Sequence, residues 1–240
     1  MPKAFPALCF ALLLATSVFA ADKPGPWAET PDPNLPNVLI LGDSISIGYT
    51  LQVRKLLDGK ANVFRPHTAD GKRPENCSGT TKGVVSLDRW LGDRKWDVIH
   101  FNWGLHDLKH VTEPGGNTVS TKPSDPVQAT ADQYAANLEK IVKRLNQTGA
   151  KLIFATTTPV VPNTTGPLRE PTSPPKYNAA ALKVMKEHNV AVNDLFAFCQ
   201  PQVEKLQRPK NVHFTAAGSQ ALAEQVAAAI QAALDSGSSQ

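Results

Sequence analysis

Short apolar runs alternate with longer amphipathic stretches along most of this chain. The runs are rich in β-branched and aromatic residues and end at polar residues, glycine or proline, which is typical of buried strands. They predict five strands, at Asn37–Leu41, Ala61–Phe64, Asp97–Phe101, Lys151–Ala155 and Val190–Asn193. The amphipathic stretches predict helices at Leu51–Leu57, Gly83–Leu91, Asp132–Leu145, Tyr177–Glu187 and Thr215–Leu234.

Two of the predicted helices carry clear signals at their ends. Apolar residues three and four positions apart mark one face of the third helix: Ala135, Leu138, Ile141, Val142 and Leu145. Gly149 follows at the point where that helix should stop, since glycine favours the backbone conformation of a helix C-terminus. Thr215 has a side chain that can cap the final helix. The sequence therefore predicts where the third helix ends and where the final helix begins.

The alternation of strands and helices indicates the fold class. Parallel strands need long crossover connections, and right-handed crossovers place helices on both faces of the sheet. The sequence therefore predicts an α/β protein, a three-layer α/β/α sandwich, with one domain over residues 37–234. Residues 21–36 are Pro-rich and aperiodic and predict a leader on the surface. Residues 235–240 predict a flexible tail.

The amino terminus has the layout of a secretory signal peptide over residues 1–20. Lys3 gives a positive start, Ala7–Ala15 is apolar, and small or apolar residues precede a predicted cut after Ala20. The apolar run is too short to span a bilayer. We therefore expect export, with the mature protein secreted or periplasmic.

Composition and charge exclude several classes of protein. The chain has 240 residues, of which 41% are hydrophobic, and a formal net charge of +4, which excludes a mainly disordered chain. The basic residues are scattered, so we expect no nucleic-acid partner. No later apolar run is long enough to cross a membrane. We expect a monomer.

Cysteine usage excludes a disulfide-stapled miniprotein, because three cysteines cannot hold a chain of this length. Cys9 would leave with the signal peptide, so Cys77 and Cys199 remain. The expected strand order sets them toward opposite edges of the sheet. We therefore expect these two thiols to be unpaired.

Residues suited to nucleophilic catalysis follow the strands or precede the last helix. Ser44 follows the first strand at the start of a helix, where the helix N-terminus favours developing negative charge. His213 precedes the final helix, and His106 and Asp107 follow the third strand. Gly79 can bring a backbone N–H close to a reacting atom. Taken singly, each residue also fits an ordinary structural role such as a helix cap.

Long loops at one edge of the predicted sheet supply candidate contacts to a substrate. Residues 67–80 and 109–127 both emerge at the carboxyl ends of strands, where open parallel sheets form their ligand crevice. Trp103 follows the third strand, and Lys109 begins the second of these loops. We predict that both residues line the rim of the site. Arg169, in the loop after the fourth strand, is a further candidate contact.

Four segments, in this order along the chain, resemble sequence blocks of the SGNH (GDSL) hydrolase superfamily. They read ILGDSISIG, NCSGTTKG, FNWGLHDL and NVHFTAAGSQALAEQVA. The resemblance covers residues 37–234 and implies a five-stranded, parallel, flavodoxin-like sheet and a serine esterase without metal or cofactor. It implies Ser44 as nucleophile and His213 as general base. It also implies an oxyanion hole formed by the backbone N–H groups of Ser44 and Gly79 and the side chain of His106.

The chain departs from the superfamily pattern at two positions. The third block usually reads Gly-x-Asn-Asp, but His106 stands in the place of the Asn, and a neutral imidazole can still donate one hydrogen bond. Lys210 stands where the superfamily usually has the catalytic Asp. Asn211 is then a candidate for orienting His213 in a Ser–His dyad. Asp107 is a candidate support for its loop or for the tautomer of His106.

Two alternatives at the site stay open from sequence. Asp194, at the end of the fifth strand, could approach His213 as the missing acid, although we interpret it as a helix cap. His106 and His213 could together bind a metal ion. No carboxylate lies at a matching spacing, so we expect no metal.

The identity of the substrate is less constrained. The sequence has no lid domain or large apolar insertion, which argues against long-chain lipids. Predicted export, polar loops and the resemblance to carbohydrate esterases together favour O-acetyl groups on polysaccharides. The alternatives are another short-chain acyl ester, or a non-catalytic glycan-binding protein on the same fold. A protein that only binds would need neither Ser44 nor His213.

Overall fold

A computed structural model describes Met1 and residues 25–236 of the chain. The predicted signal peptide beyond Met1, the first part of the Pro-rich leader and the end of the predicted tail lie outside these residues. Within the leader, Trp27 N donates to Gly71 O at 3.0 Å and Glu29 forms an ion pair with Arg54 at 2.7 Å. These contacts hold the leader against the domain.

The core of the fold is a sheet of five parallel strands in the order β2-β1-β3-β4-β5. The strands are β1 (Asn37–Leu41), β2 (Asn62–Phe64), β3 (Val98–Phe101), β4 (Lys151–Ala155) and β5 (Ala191–Asn193). All five were predicted from the apolar runs. Their order is flavodoxin-like, so the predicted fold class is confirmed.

Helices cover both faces of this sheet and complete three layers. They are α1 (Ser44–Leu56), α2 (Thr80–Leu91), α3 (Ala131–Asn146), α4 (Ser173–Glu187), α5 (Leu195–Cys199), α6 (Val203–Leu206) and α7 (Ala216–Asp235). The first helix, α1, packs against the last, α7, while α2, α3 and α4 pack side by side. None of the helices in the described part of the chain combines the length and apolarity needed to cross a membrane.

The structure differs from the predicted helices mainly at their starts and near the carboxyl terminus. Helix α1 begins at Ser44 and not at Leu51, because Asp43 caps it and Ile45 and Tyr49 extend its buried face. Two residues of that buried face, Ser46 and Thr50, are polar, which hides the face in the sequence. The region between β5 and α7 was predicted without helices but contains α5 and α6, which are too short to show a period.

The two cysteines within the described residues are free. Cys77 precedes α2 and Cys199 ends α5, and both thiols are buried. The expectation that they remain unpaired is therefore confirmed. Burial raises the pKa of the Cys77 thiol to about 11, so this group is neutral at ordinary pH.

Candidate active site

Ser44 lies where β1 ends and α1 begins, at the carboxyl edge of the sheet. Gly42 forms the turn, and a side chain at its position would come within 2.9 Å of the Ser46 hydroxyl. The Asp43 carboxylate is buried and caps α1 by accepting a hydrogen bond from Ile45 N at 2.9 Å. The local sequence therefore fixes Ser44 on a capped helix N-terminus.

The hydroxyl of Ser44 contacts the imidazole of His213. Ser44 Oγ and His213 Nε2 are 2.8 Å apart. The two residues come from opposite ends of the chain and meet because α1 packs against α7, which begins just after His213. At this distance, a proton can pass from the hydroxyl to the ring.

Asn211 orients the ring of His213. Its Oδ1 accepts hydrogen bonds from His213 N at 2.9 Å and from His213 Nδ1 at 2.8 Å. The backbone N–H can only donate, so the amide oxygen of Asn211, and not its NH₂ group, faces the histidine. Nδ1 must then carry the ring proton, which leaves the lone pair of Nε2 for the Ser44 hydroxyl. This is the tautomer that a general base requires.

No carboxylate in residues 25–236 forms a hydrogen bond or ion pair with His213. Asp194 caps α5 by accepting from Ala197 N at 3.0 Å and also accepts from the Thr156 hydroxyl at 2.8 Å, as its interpretation as a cap predicted. Lys210 is exposed, with a left-handed backbone at φ 52°. The position at which the superfamily usually has its catalytic Asp therefore faces solvent in this protein.

The surroundings of His213 disfavour its charged form. Partial burial lowers the pKa of His213 below 6.5, and the positive charges of Arg208 and Arg169 lower it further. The Asn211 amide is neutral and does not offset these charges. The ring therefore stays available as a base at mildly acidic pH.

His106 lines the same cavity as Ser44 and His213, which has a volume of about 410 Å³. Burial lowers the pKa of His106 to about 3, and the charges of Lys109 and Arg169 add to this effect. The ring is therefore neutral. The Lys109 ammonium lies 3.4 Å from His106 Nδ1. An ammonium can only donate, so Nδ1 accepts and Nε2 carries the proton, ready to donate to a reacting oxygen.

Lys109 and Trp103 do not form the rim predicted for them. Lys109 is only 6% exposed and lies behind His106. Trp103 is fully buried, stacks on Trp90 with ring centroids 6.3 Å apart, and donates from Nε1 to Cys77 O at 3.3 Å. Both predictions of a rim position are wrong.

The turn at Gly104 explains why the Trp103 prediction failed. Gly104 has φ 153°, and a Cβ atom there would lie 1.8 Å from the Thr157 hydroxyl oxygen. The chain therefore reverses immediately after β3, which directs Trp103 into the core and carries His106 back to the cavity. Sequence alone does not reveal this change of direction.

Asp107 supports the loop and not the tautomer of His106. Its buried Oδ1 accepts hydrogen bonds from Thr80 N at 2.9 Å and from the Thr80 hydroxyl. Burial raises its pKa to about 7. Asp107 thereby joins the loop after β3 to the start of α2, directly beside Gly79.

Gly79 lies just before α2 and lines a different cavity, together with Lys82 and Gln128; it is not among the residues that line the cavity containing Ser44. A side chain at its position would come within 2.9 Å of the Gln128 side chain and 3.2 Å of Asp107. Neither its backbone N–H nor that of Ser44 donates to an acceptor within residues 25–236. Both groups are thus free to bind a ligand oxygen.

Asn76 and Arg65 belong to the site but were not singled out from the sequence. Asn76 shares the cavity with Ser44. Arg65 is buried and donates to Gly42 O at 3.1 Å and to Glu75 O at 3.0 Å. These two hydrogen bonds connect the end of β1 to the loop that carries Asn76. A lone arginine in a strand-to-loop segment has no sequence signal for this role.

No three His, Cys, Asp or Glu side chains converge to hold a metal ion in the part of the chain that the structure describes. The groups that line the cavity with Ser44 are instead a neutral base, His213, and a second neutral imidazole, His106, and the backbone N–H of Ser44 has no acceptor in the described residues. This arrangement can carry out acyl transfer to the serine hydroxyl.

Comparison with known proteins identifies the family. Residues 40–221, more than half of the chain, match the GDSL-like Lipase/Acylhydrolase family. The chain belongs to this family. The resemblance seen in the sequence blocks is therefore confirmed, and the protein is a hydrolase of ester bonds.

Several solved structures have the same fold as this GDSL-like acylhydrolase. The acetyl xylan esterase AlAXEase superposes with a TM-score of 0.63 at 14% identity, covering 81% of this chain and 99% of the other. A lipase/acylhydrolase from Enterococcus faecalis gives 0.64 at 18% identity, covering 82% and 96%. At such low identity these likenesses establish the fold.

A third similar structure is a variant of an acetyl-xylooligosaccharide esterase from Geobacillus. Its TM-score is 0.60 at 17% identity, and the match covers 80% of this chain and 92% of the Geobacillus chain. No functionally curated protein matches the sequence. The substrate of this acylhydrolase must therefore be argued from its own site.

Proposed function

We propose that this acylhydrolase is an exported serine esterase that removes short acyl groups, chiefly O-acetyl groups, from carbohydrates. The observation that carries the catalytic part is the 2.8 Å contact between Ser44 Oγ and His213 Nε2, with the tautomer set by Asn211. Export rests on the signal-peptide pattern of the amino terminus.

In the proposed reaction, Ser44 Oγ attacks the ester carbonyl and its proton passes to His213 Nε2. The negative charge that forms on the carbonyl oxygen is stabilised by the N–H groups of Ser44 and Gly79 and by His106 Nε2–H. When the C–O bond breaks, His213 returns the proton to the departing alcohol, which leaves an acyl group on Ser44. Water, deprotonated by His213, then releases the carboxylic acid and restores the hydroxyl.

The cavity around Ser44 favours a short acyl group on a polar alcohol. Its volume is about 410 Å³, and most of the residues that line it are polar, among them Asn76, Asn211 and Arg169 beside the catalytic groups. A long acyl chain needs a continuous apolar wall, whereas the apolar residues on the other side of Ser44 (Ile45, Ile47 and Phe214) line a cleft of only about 250 Å³. Two of the similar structures described above are also esterases of acetylated xylan or xylo-oligosaccharide.

Acetate release tests this function directly. The wild-type protein should release acetate from acetylated xylo-oligosaccharides or from another acetylated glycan. It should also hydrolyse 4-nitrophenyl acetate at least about tenfold faster than the octanoate, because the apolar cleft beside Ser44 is too small to bury the longer chain. A preference for the octanoate would contradict the proposed short-acyl specificity.

The pH dependence should report the lowered pKa of His213. The neutral ring is the active form, so kcat/KM should rise with pH and level off, with a midpoint below pH 6.5. Arg208→Gln removes one of the charges that lower this pKa and should move the midpoint upward. The measurement is kcat/KM for 4-nitrophenyl acetate from pH 4 to 8.

The control for that experiment is Lys205→Gln, which removes an exposed positive charge from the same segment of the chain. Its midpoint should match that of the wild-type enzyme. A wild-type midpoint above pH 6.5, or no movement in Arg208→Gln, would contradict the electrostatic account of the base.

A further inference from the structure

Arg169 is a buried cation in the catalytic cavity whose hydrogen-bonding capacity is mostly unused. Its side chain is 8% exposed and lines the cavity together with Ser44, His106 and His213. Nε donates to Leu105 O at 2.8 Å. The two terminal amino groups have no acceptor within residues 25–236.

No carboxylate neutralises this guanidinium by direct contact. Asp43 shares the cavity, but Asp43 and Arg169 form no ion pair in the described residues. The Asp43 carboxylate instead caps α1 through Ile45 N. The terminal amino groups of Arg169 are open to the cavity and not sealed in the interior, so a bound anionic group can complete their hydrogen bonds.

The loop that carries Arg169 is held in place before any ligand binds. Leu168 N donates to Ser120 O at 2.8 Å, and His110 N donates to Leu168 O at 2.9 Å. Together with the bond from Arg169 Nε to Leu105 O, these contacts fix the guanidinium relative to the loop that follows β3. A fixed guanidinium loses little conformational freedom on binding an anion.

Charges next to the cavity also favour a negatively charged ligand. Arg208 lines the cleft on the other side of Ser44 and His213. The cleft beyond Asn76 carries Lys82 and Arg89, and its carboxylate, Glu75, is already paired with both of them at 3.1 and 2.7 Å. Glu75 is the only carboxylate that lines these two clefts in the described residues, and in the catalytic cavity itself the carboxylate is Asp43, which is buried at the N-terminus of α1.

We propose that the terminal amino groups of Arg169 bind a carboxylate of the substrate, so that the ester hydrolysed is carried by an acidic sugar. This inference rests on the proposed esterase function. The planar guanidinium matches a carboxylate with two parallel hydrogen bonds. The cavity volume of about 410 Å³ lies within the range of sites that hold a small ligand. A uronic acid places its carboxylate on the same ring as its acetylated hydroxyl groups, so one ring can contact both Arg169 and Ser44.

The test compares acetate release from two substrates, an O-acetylated methyl glycoside of galacturonic acid and its methyl ester, which lacks the negative charge and adds one methyl group. The wild-type enzyme should have a kcat/KM at least about tenfold higher for the acid, and this ratio should fall as sodium chloride is raised. Arg169→Gln should remove the preference, whereas Arg169→Lys, which retains a charge, should keep part of it. Lys183→Gln, an equal change of charge at an exposed position on α4, should behave like the wild type.

Several results would overturn the carboxylate site. One is an equal kcat/KM of the wild-type enzyme for the acid and its methyl ester, and this result needs no variant to fold. Another is a decrease in the kcat/KM of Arg169→Gln that is equally large for the acid, the methyl ester and 4-nitrophenyl acetate. That pattern would place Arg169 at the oxyanion of every ester.

Calorimetry with galacturonate separates failure of this inference from failure of the esterase function. Folded wild-type protein that binds galacturonate, but not galactose, and hydrolyses no ester would retain the carboxylate site and overturn the proposed catalysis. Protein that hydrolyses 4-nitrophenyl acetate but binds galacturonate no better than galactose would support the esterase function and overturn the carboxylate site.

Discussion

Ser44→Ala should lower kcat by ~10⁴-fold or more for every ester substrate while leaving the fold and substrate binding intact. The variant lacks the atom that forms the acyl-enzyme, and His213 has no other hydroxyl within hydrogen-bonding distance in the described part of the chain. His213→Ala should cause a loss of similar size, because the two residues act as a unit. The measurement is the steady-state rate on 4-nitrophenyl acetate, with the variant's folding checked by circular dichroism.

A fluorophosphonate provides an independent readout of the same serine. The intact mass of the wild-type protein should increase by one adduct, which peptide mapping should place on Ser44. Both Ser44→Ala and His213→Ala should remain unmodified. Ser86→Ala, on α2 and away from the cavity, is the matched control and should react like the wild type. Retention of labelling in Ser44→Ala would show that a different nucleophile is used.

Asn211→Asp should raise kcat/KM by about tenfold or more above pH 7. Aspartate has nearly the same shape as asparagine and can keep both hydrogen bonds to His213, through N and Nδ1. It adds a negative charge beside a ring whose charged form Arg208 and Arg169 disfavour. The imidazolium formed during attack is then stabilised, and the pKa of His213 rises, so the midpoint of the pH profile should move upward as the rate increases.

Two further variants make the Asn211 prediction specific. Asn211→Ala removes the acceptor that fixes the ring tautomer and should lower kcat/KM by about ten- to a hundredfold. Lys210→Asp restores the carboxylate at the position usual for the superfamily. It should have a smaller effect, because Lys210 is exposed and Asn211 already occupies Nδ1. An unchanged rate and pH profile in Asn211→Asp would mean that charge at this position does not limit catalysis.

The sequence was sufficient to predict the sheet and the two residues in contact at its edge. The five strands are apolar and short, and their alternation with amphipathic stretches leaves few folds to consider. Ser44 and His213 were recognised from their sequence blocks and not from periodicity. The superfamily resemblance implied that these two residues act together, and the structure shows that they meet because α1 packs against α7.

Features that depend on a single turn or on long-range contacts could not be predicted in the same way. Trp103 and Lys109 were assigned to the rim because they follow a strand, but the reversal at Gly104 decides where each side chain goes. Arg65 reaches two backbone carbonyls that lie far apart in sequence, Gly42 and Glu75. No local pattern signals such a contact.

The packing of α1 against α7 also sets when activity can first arise during biosynthesis. The nucleophile is made 169 residues before the base, so a growing chain contains Ser44 long before it contains His213. Chains are made at roughly 5–20 residues per second and fold as domains emerge. The site is therefore incomplete until the last helix has left the ribosome, or the export channel if the chain is translocated, and has docked. Acyl transfer is thereby delayed until the whole domain has folded.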